Sequence, residues 1–448
     1  MAKRMLVIGG DAAGMSAASK ARRTDPEAEV VVLERSGVVS FAACGIPYYV
    51  GGSIAEADDL IARSPEAFAS AGIDLRLHTE ATAIDTDART VTAAGPDGEE
   101  TIAYDELLIA TGATAIRPPI DGLDTRGVFT VRHLDDGVAL REYVDTHEPR
   151  HATIVGAGYI GLEFAEVLRE RGLEVTVVEM ADRVFPSLDP DMSEHVAAEL
   201  DRHGVIVRTS EKVTRVEPGP EGRVARALTT EEAWDTGVVV VGGGAKPASA
   251  IAEAAGIPLD EHGAIITDER MATSVAGVWA AGDVAGAHHL VTGERAYVPL
   301  GQTANKQGRV AGENIVGGDA RFAGIVGTSV AKVFDVAVAR TGLTAAECAA
   351  EGFDCAEATI TAHDRAHYYP GARKLVVKLV GERGSRRLLG AQLVGVGAEK
   401  RIDTLATALH AGLTADTVAE LDLAYAPPYA PVWDPVLVAG GQLAKALD

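Results

Sequence analysis

The apolar positions come in short uninterrupted runs that lead into glycine turns, and one such arrangement occurs twice. The first goes from Met5-Leu6-Val7-Ile8 through Gly9-Gly10-Asp11-Ala12-Ala13-Gly14. An alanine-rich helix to about Arg23 and the strand Val30-Val31-Val32-Leu33 follow, and Glu34 ends the unit. The second goes from Thr153-Ile154-Val155 through Gly156-Ala157-Gly158-Tyr159-Ile160-Gly161. A helix to about Arg171 and the strand Val175–Val178 follow, ending in Glu179. Each pattern predicts a βαβ unit. Its glycines let the backbone approach a pyrophosphate at the helix N-terminus, and its terminal carboxylate accepts bonds from a ribose hydroxyl. One glycine motif alone is weak. Two, each complete with strand, helix and acid, predict two dinucleotide sites. Asp11 stands where a second glycine is usual, and its side chain is expected to point away from the phosphates.

Other segments fit the same scheme. Glu106–Ile109, followed by Ala110-Thr111-Gly112, reads as a strand ending in a tight turn, and Pro118-Pro119 as the linker beyond it. Val238–Val241, before Gly242-Gly243-Gly244, closes the inserted unit. Val278–Ala281 leads into Gly282-Asp283 and returns to the first fold, and Gly301–Arg309 opens a helix. From about Ile325 the pattern is strand-rich with two later helices. The proline-rich Ala424–Pro435 is read as a rigid surface loop or interface arm. The expected class is α/β, with a first dinucleotide-binding domain over 1–116 and 245–324. A second dinucleotide-binding domain is expected over 117–244 and an α+β domain over 325–448.

Composition narrows the partners. The formal charge is −24, from 65 acidic and 41 basic residues, and only ten of the basic ones are lysines. Such a surface repels nucleic acid and anionic lipid. No run of roughly 18 apolar residues is present, so no membrane span is expected, and three widely spaced cysteines fit a reducing cytoplasm. Acid excess with few lysines reads as adaptation to high salt; an ordinary acidic cytosolic protein is the plainer alternative.

The candidate chemistry centres on Cys44, in Ser40-Phe41-Ala42-Ala43-Cys44-Gly45-Ile46-Pro47. By itself a lone cysteine is as readily a buried, inert one. Here it lies a strand and a short loop beyond a nucleotide-binding unit, where a bound flavin would need a redox partner. No second cysteine lies four or five residues away, so a disulfide at Cys44 forms most simply with a small-molecule thiol.

With both units, Thr111-Gly112, Gly282-Asp283 and the Cys44 segment in place, the chain resembles the pyridine nucleotide-disulfide oxidoreductases over essentially its full length. The single cysteine in Ser-Phe-x-x-Cys resembles the branch of coenzyme A-disulfide reductases, NADH oxidases and NADH peroxidases. The resemblance implies FAD on the first unit, NAD(P)H on the inserted one and a homodimer through the last domain. It assigns cofactor contacts to Gly9, Gly10, Ala13, Gly14, Glu34, Arg35, Thr111, Gly112, Gly282, Asp283, Pro299 and Leu300. For the second nucleotide it assigns Gly156, Gly158, Tyr159, Ile160, Gly161, Glu179 and Gly243.

Two departures sort the branch. Peroxidases and many oxidases carry a histidine in the first glycine turn. The matching position is Ala12, and no histidine occurs in 1–49. Two-cysteine reductases carry a C-terminal His-Glu pair, whereas this chain has no histidine after His410. Tyr425 in Ala-Tyr-Ala-Pro-Pro, and the earlier His367-Tyr368-Tyr369-Pro370, resemble the coenzyme A-disulfide reductases. That resemblance implies Cys44 as nucleophile, its thiolate favoured by a helix N-terminus and by the flavin as charge-transfer partner. Tyr425 of a partner subunit, with Tyr368, would be the acid. Substrate contacts are implied at Ser16, Lys20, Arg23, Ser40, Ala43 (asparagine in some members) and Asn305. Lys20 and Arg23, one helical turn apart, can face one anionic ligand. The expected reaction is NAD(P)H-dependent reduction of coenzyme A disulfide, with NADH favoured because Glu179 repels a 2′-phosphate; the opposing expectation is that Arg183, four residues on, swings in to pair with that phosphate. The alternatives are an NADH oxidase cycling Cys44 through a sulfenic acid and a flavoprotein that senses redox state without turnover.

Overall fold

The computed structural model describes residues 3–448. Two five-stranded parallel sheets and one five-stranded antiparallel sheet organise the chain. The first has the order Val278–Ala280, Glu106–Ile109, Arg4–Ile8, Glu29–Leu33, Ile73–Arg76. The second has the order Ile206–Thr209, Glu174–Glu179, His151–Val155, Val238–Val241, Val128–Phe129. All pairings within both are parallel. Strands of this kind are covered on both faces, and Leu6, Val7, Leu107, Ile154 and Val177 have no exposed surface.

The internal repeat goes further than the glycine turns. Counted from the strand that leads into the glycine turn, each unit has a three-stranded antiparallel meander after its third strand, over Glu80–Ala103 in the first and Val213–Asp235 in the second. Where the chain passes from one unit to the other and back, Ala113–Ala115 and Ala245–Pro247 pair antiparallel. The C-terminal sheet has the order Ser329–Val333, Val336–Gly342, Leu388–Gly395, Lys374–Glu382, Cys355–His363. Four helices accompany it, not two: Ala345–Ala350, Ala398–His410, Ala415–Ala419 and Pro435–Ala446. The short ones span five or six residues, below the length at which sequence periodicity declares itself. The proline-rich arm forms turns and one bridge between Ala426 and Ala430, until helix resumes at Pro435. No helix among the described residues is long and apolar enough to cross a membrane.

Buried charge docks the C-terminal sheet on the second unit. The nucleotide helix Tyr159–Glu170 carries Glu166, 2% exposed, which pairs with Lys332 and accepts from the Phe334 N–H at 2.7 Å. Three strands across the same sheet from Lys332, Lys378 meets Asp189; each is 3% exposed and they lie 3.2 Å apart, with Asp191 and Glu357 at 2.9 Å from the same ammonium. Gln392 donates to Asp189 at 2.6 Å. Burial alone would raise the Asp189 pKa. Hydrogen bonds from Gln392 and Ala345 and the charge of Lys378 outweigh it and hold the carboxyl below its ordinary value.

Lys378→Met leaves the Asp189 carboxylate buried without its counter-charge, so a loss of about 3–5 kcal/mol in urea unfolding is expected. A group with a depressed folded pKa stabilises above its unfolded value and ceases to do so as the pH falls. The difference between variant and parent should therefore narrow below the ordinary carboxyl value of 3.8. A variant as stable as the parent at neutral pH would show that the lysine is not what holds the two layers.

Candidate active site

Both glycine turns are built by the same contacts. Gly9 and Gly156 have φ of +108° and +100°, a region that costs only glycine little. A Cβ on Gly14 would lie 1.9 Å from the Gly9 carbonyl oxygen, and one on Gly161 would lie 2.0 Å from that of Gly156. The helices Ala12–Thr24 and Tyr159–Glu170 therefore start directly against the strand ends. The terminal acids close the turns from the other side. Glu34 accepts from Gly10 N–H at 2.8 Å and Ser36 N–H at 2.7 Å. Glu179 accepts from Ala157 N–H at 2.7 Å and Ala181 N–H at 2.8 Å. Each carboxylate keeps lone pairs for a ribose hydroxyl. The loops after the fourth strands correspond too: a Cβ on Gly9 would meet the Ala110 carbonyl, and one on Gly156 that of Gly242. Gly243 follows in the second loop, as Thr111 and Gly112 do in the first.

The first turn opens a cleft of about 680 Å³ lined by Gly9, Gly10, Glu34, Arg35, Thr111, Gly112 and Ala43, among others. Arg132 and Asp11 line it as well. Burial pushes the Asp11 carboxyl up to about 6, against the opposing pull of the Phe41 backbone hydrogen bond, and the charge of Glu34 pushes the same way as burial. Its Oδ1 is buried without a partner. Amides at a helix N-terminus, a clamped acid and an orphaned acceptor in one cleft fit a dinucleotide with hydroxyl and N–H groups to offer. Ala13 lies under Gly282, whose φ is +83° and whose N–H donates to Gln307 at 2.9 Å. Asp283 pairs with Arg132 at 2.8 Å. Pro299 and Leu300 lead into the helix Gly301–Ile315, with Leu300 as its N-cap.

In the second unit Gly158 has open space where a Cβ would be, and Ile160 is 42% exposed. The Tyr159 ring is committed elsewhere: it stacks edge-on against Phe185, and its hydroxyl pairs with Ser329. Only its backbone remains for a nucleotide. Arg183 is occupied by Asp182 at 2.7 Å and by the carbonyl of Leu188.

Cys44 is exposed, in a single turn Ala43–Gly45 that runs into the short helix Ile46–Gly51. That helix packs on Tyr159–Glu170, since a Cβ on Gly51 would lie 2.8 Å from Val167. Glu163, one turn before Val167, faces the cysteine end. The groups around the sulfur act against the thiolate that a helix N-terminus is expected to favour. Although the residue is exposed, crowding around its sulfur is the largest push upward on the thiol pKa. Glu163, Asp283 and Asp11 add to it, with Arg132 alone opposing. Burial and three carboxylates together exceed what Arg132 offers the thiolate. Burial pushes the Glu163 carboxyl up to about 7. Tyr48, beside the cysteine, has its phenol pushed up by burial and then by Glu163.

The expected substrate residues separate. Ser16 donates to Asn305 at 2.7 Å across the pair of helices Ala12–Thr24 and Gly301–Ile315. Lys20 does not stand free beside Arg23 but pairs with Glu313 at 2.9 Å on the same helix pair, while Arg23 is exposed. An anionic ligand there must compete with a carboxylate. Ser40 takes φ of +51°, and its N–H donates to Gly10 O at 3.0 Å. Tyr368 and Tyr425, 57 positions apart, bring their hydroxyls within 3.4 Å. The Tyr368 hydroxyl raises the Tyr425 pKa. Neither tyrosine lines the cleft beside Cys44. Sequence reasoning missed Arg132, Glu163 and Tyr48. Only the spacing Glu163–Val167 on a helix next to the glycine turn offered any signal.

Comparison with known proteins agrees with this geometry. Residues 3–308 match the family description "pyridine nucleotide-disulphide oxidoreductase", and residues 328–435 match its dimerisation domain. The chain is 42% identical over 440 residues to an NAD(P)H coenzyme A polysulfide/persulfide reductase of Pyrococcus horikoshii, covering 98% of each chain. It is 31% identical over 443 residues to a coenzyme A disulfide reductase of Staphylococcus haemolyticus, again covering 98% of each. The solved structure of an NAD-dependent persulfide reductase from A. fulgidus superposes with a TM-score of 0.95 at 43% identity. That superposition covers 98% of this chain and 82% of the other. The duplicated turns, the lone cysteine and the full-length likeness place the chain in the pyridine nucleotide-disulphide oxidoreductase family.

Proposed function

We propose that the protein is an FAD-dependent NAD(P)H reductase of small sulfur–sulfur bonds, with coenzyme A disulfide or a coenzyme A-linked persulfide as substrate. Cys44 carries the reading: an exposed thiol next to Ala43, which lines the first dinucleotide cleft, with its nearest cysteine in sequence in the last domain. The relatives named for coenzyme A, disulfide, persulfide and polysulfide support the substrate class. FAD, when bound in the first cleft, supplies the relay that passes electrons from NAD(P)H to sulfur. The chain's own part is to form and break the sulfur bond. Cys44 attacks the substrate disulfide, holds one half as a mixed disulfide and releases the other as a thiol. The second half leaves when electrons reach that bond. Tyr425, with Tyr368 beside it, is the proposed proton donor to a leaving thiolate in the other subunit.

Cys44→Ser is expected to retain FAD, read by its visible absorbance, and to lose coenzyme A-disulfide turnover almost entirely. Substantial residual turnover would overturn the mechanism. Glu163 is the largest charge acting on the thiol, and it is ionised only above about pH 7. Glu163→Gln should therefore lower the Cys44 pKa and speed its alkylation by iodoacetamide roughly two- to fivefold near pH 8. The rate should be unchanged below pH 6, where Glu163 is protonated and neutral. An identical profile in both proteins would show that Glu163 does not set the thiol's charge state.

The dimerisation-domain match and the exposed Tyr368, Tyr425, Tyr429 and Trp433 support a homodimer. Light scattering should give twice the chain mass of 46.5 kDa, and an active monomer would refute the cross-subunit donor. The clamped Glu179 and the occupied Arg183 support NADH as the preferred nucleotide, because a 2′-phosphate would meet a fixed carboxylate and no free guanidinium. Comparing kcat/KM for the two nucleotides tests this. A tenfold preference for NADPH would show that Arg183 leaves Asp182 and governs the pocket.

A further inference from the structure

The two remaining cysteines lie seven positions apart in the C-terminal domain, and the fold folds them back onto each other. Thr344 caps the helix Ala345–Ala350, with Glu347 closing the reciprocal bond. Beyond its end Gly352 takes φ of +80°, and Phe353 N–H returns to the Cys348 carbonyl at 3.0 Å. This reversal lets Cys355 open the strand Cys355–His363 at the edge of the sheet. Cys348 has no exposed surface, and Cys355, half-buried, packs on the same apolar cluster. Across this turn Cys355 packs on the cluster that holds Cys348, and the side-chain hydrogen bond between them, with the charge of Cys355, adds to burial in raising the Cys348 pKa. Two inert core cysteines need neither this proximity nor one member partly exposed.

We propose that Cys348 and Cys355 are a second thiol–disulfide site, distinct from Cys44, which exchanges directly with low-molecular-weight disulfides. The exposures set the order of events. The Cys355 thiolate attacks a disulfide RSSR, forming Cys355–S–S–R and releasing one RS⁻. Cys348 then gives up its proton and attacks the Cys355 sulfur. A Cys348–Cys355 bond forms, and the second RS⁻ leaves and takes that proton. Two protein thiols are oxidised and one disulfide becomes two thiols, with no flavin or nicotinamide involved. Burial and the neighbouring Glu347 and Asp189 disfavour the Cys348 thiolate, which makes the second step the slow one. The bond would staple the helix Ala345–Ala350 to the edge strand. The first residue of that helix donates to Asp189, the buried acid that docks the second nucleotide unit. An excess of disulfide over thiol would thus stiffen the joint between these layers, and thiol would release it.

The test uses the FAD-loaded Cys44→Ser protein, which keeps only these two thiols, with 2-hydroxyethyl disulfide and no NAD(P)H. It therefore succeeds or fails independently of the reading of Cys44. Both thiols should become resistant to iodoacetamide after denaturation, the intact mass should fall by about 2 Da, and one peptide should carry both cysteines in a bond that dithiothreitol reverses. The further substitution Cys355→Ser should leave Cys348 as an unreacted thiol. Two freely alkylated thiols, a stable adduct on Cys355 beside a free Cys348, or reaction of Cys348 without Cys355 would each overturn the proposal.

Discussion

The contact on which the rest of the molecule depends is the one between the first and last glycine of each turn. A helix start lies so close to a strand end that no Cβ fits between them. That approach sets the direction of the helix N-terminus and aims its unpaired amides into a cleft. The terminal acid, bonded to two backbone N–H groups, then holds the turn from the far side. Both nucleotide sites are thus shaped by backbone and one carboxylate, with little left to side-chain choice. The same close packing continues along the first helix, where Gly308 and Gly312 of the helix Gly301–Ile315 sit over the carbonyls of Ala13 and Ala17. Ser16 meets Asn305, and Lys20 meets Glu313, because those glycines let two helices touch.

A second layer of constraint comes from charges that are buried and paired. Glu166 fastens the second nucleotide helix to Lys332 and Phe334, and Tyr159 reaches Ser329 from the same helix. A helix held at two points along its length presents Glu163 to the Cys44 loop in a fixed position. The C-terminal sheet, remote from the sulfur in sequence, therefore contributes to the electrostatics of the sulfur.

Those electrostatics run against simple thiolate activation. The chain's own groups favour the neutral thiol at Cys44, since burial first, and then Glu163, Asp283 and Asp11, outweigh Arg132. In a protein of net charge −24 this is the local form of a global excess of acid. It fits a sulfur whose reactive form is set by what binds beside it, more than by a resident base.

The glycine turns, both terminal acids, the parallel α/β class, the inserted second unit and the candidate sulfur were all legible in the sequence. They rest on short-range spacing, where a turn, a strand end and a helix start are neighbours in the chain and obey local sterics. The two short C-terminal helices, Ala345–Ala350 and Ala415–Ala419, were not legible, because five or six residues carry too few turns for a period to show. Arg132, Glu163 and Tyr48 around Cys44 come from three separate elements, and no local pattern joins them. Lys20 and Arg23 share a helix face by spacing alone, yet only the packed helix pair shows that Glu313 occupies the lysine. The meeting of Tyr368 with Tyr425, and of Cys348 with Cys355, likewise depends on how the chain doubles back. Local rules determined which residues could do chemistry; tertiary packing decided which of them meet, because charge, burial and proximity act through space and not along the chain.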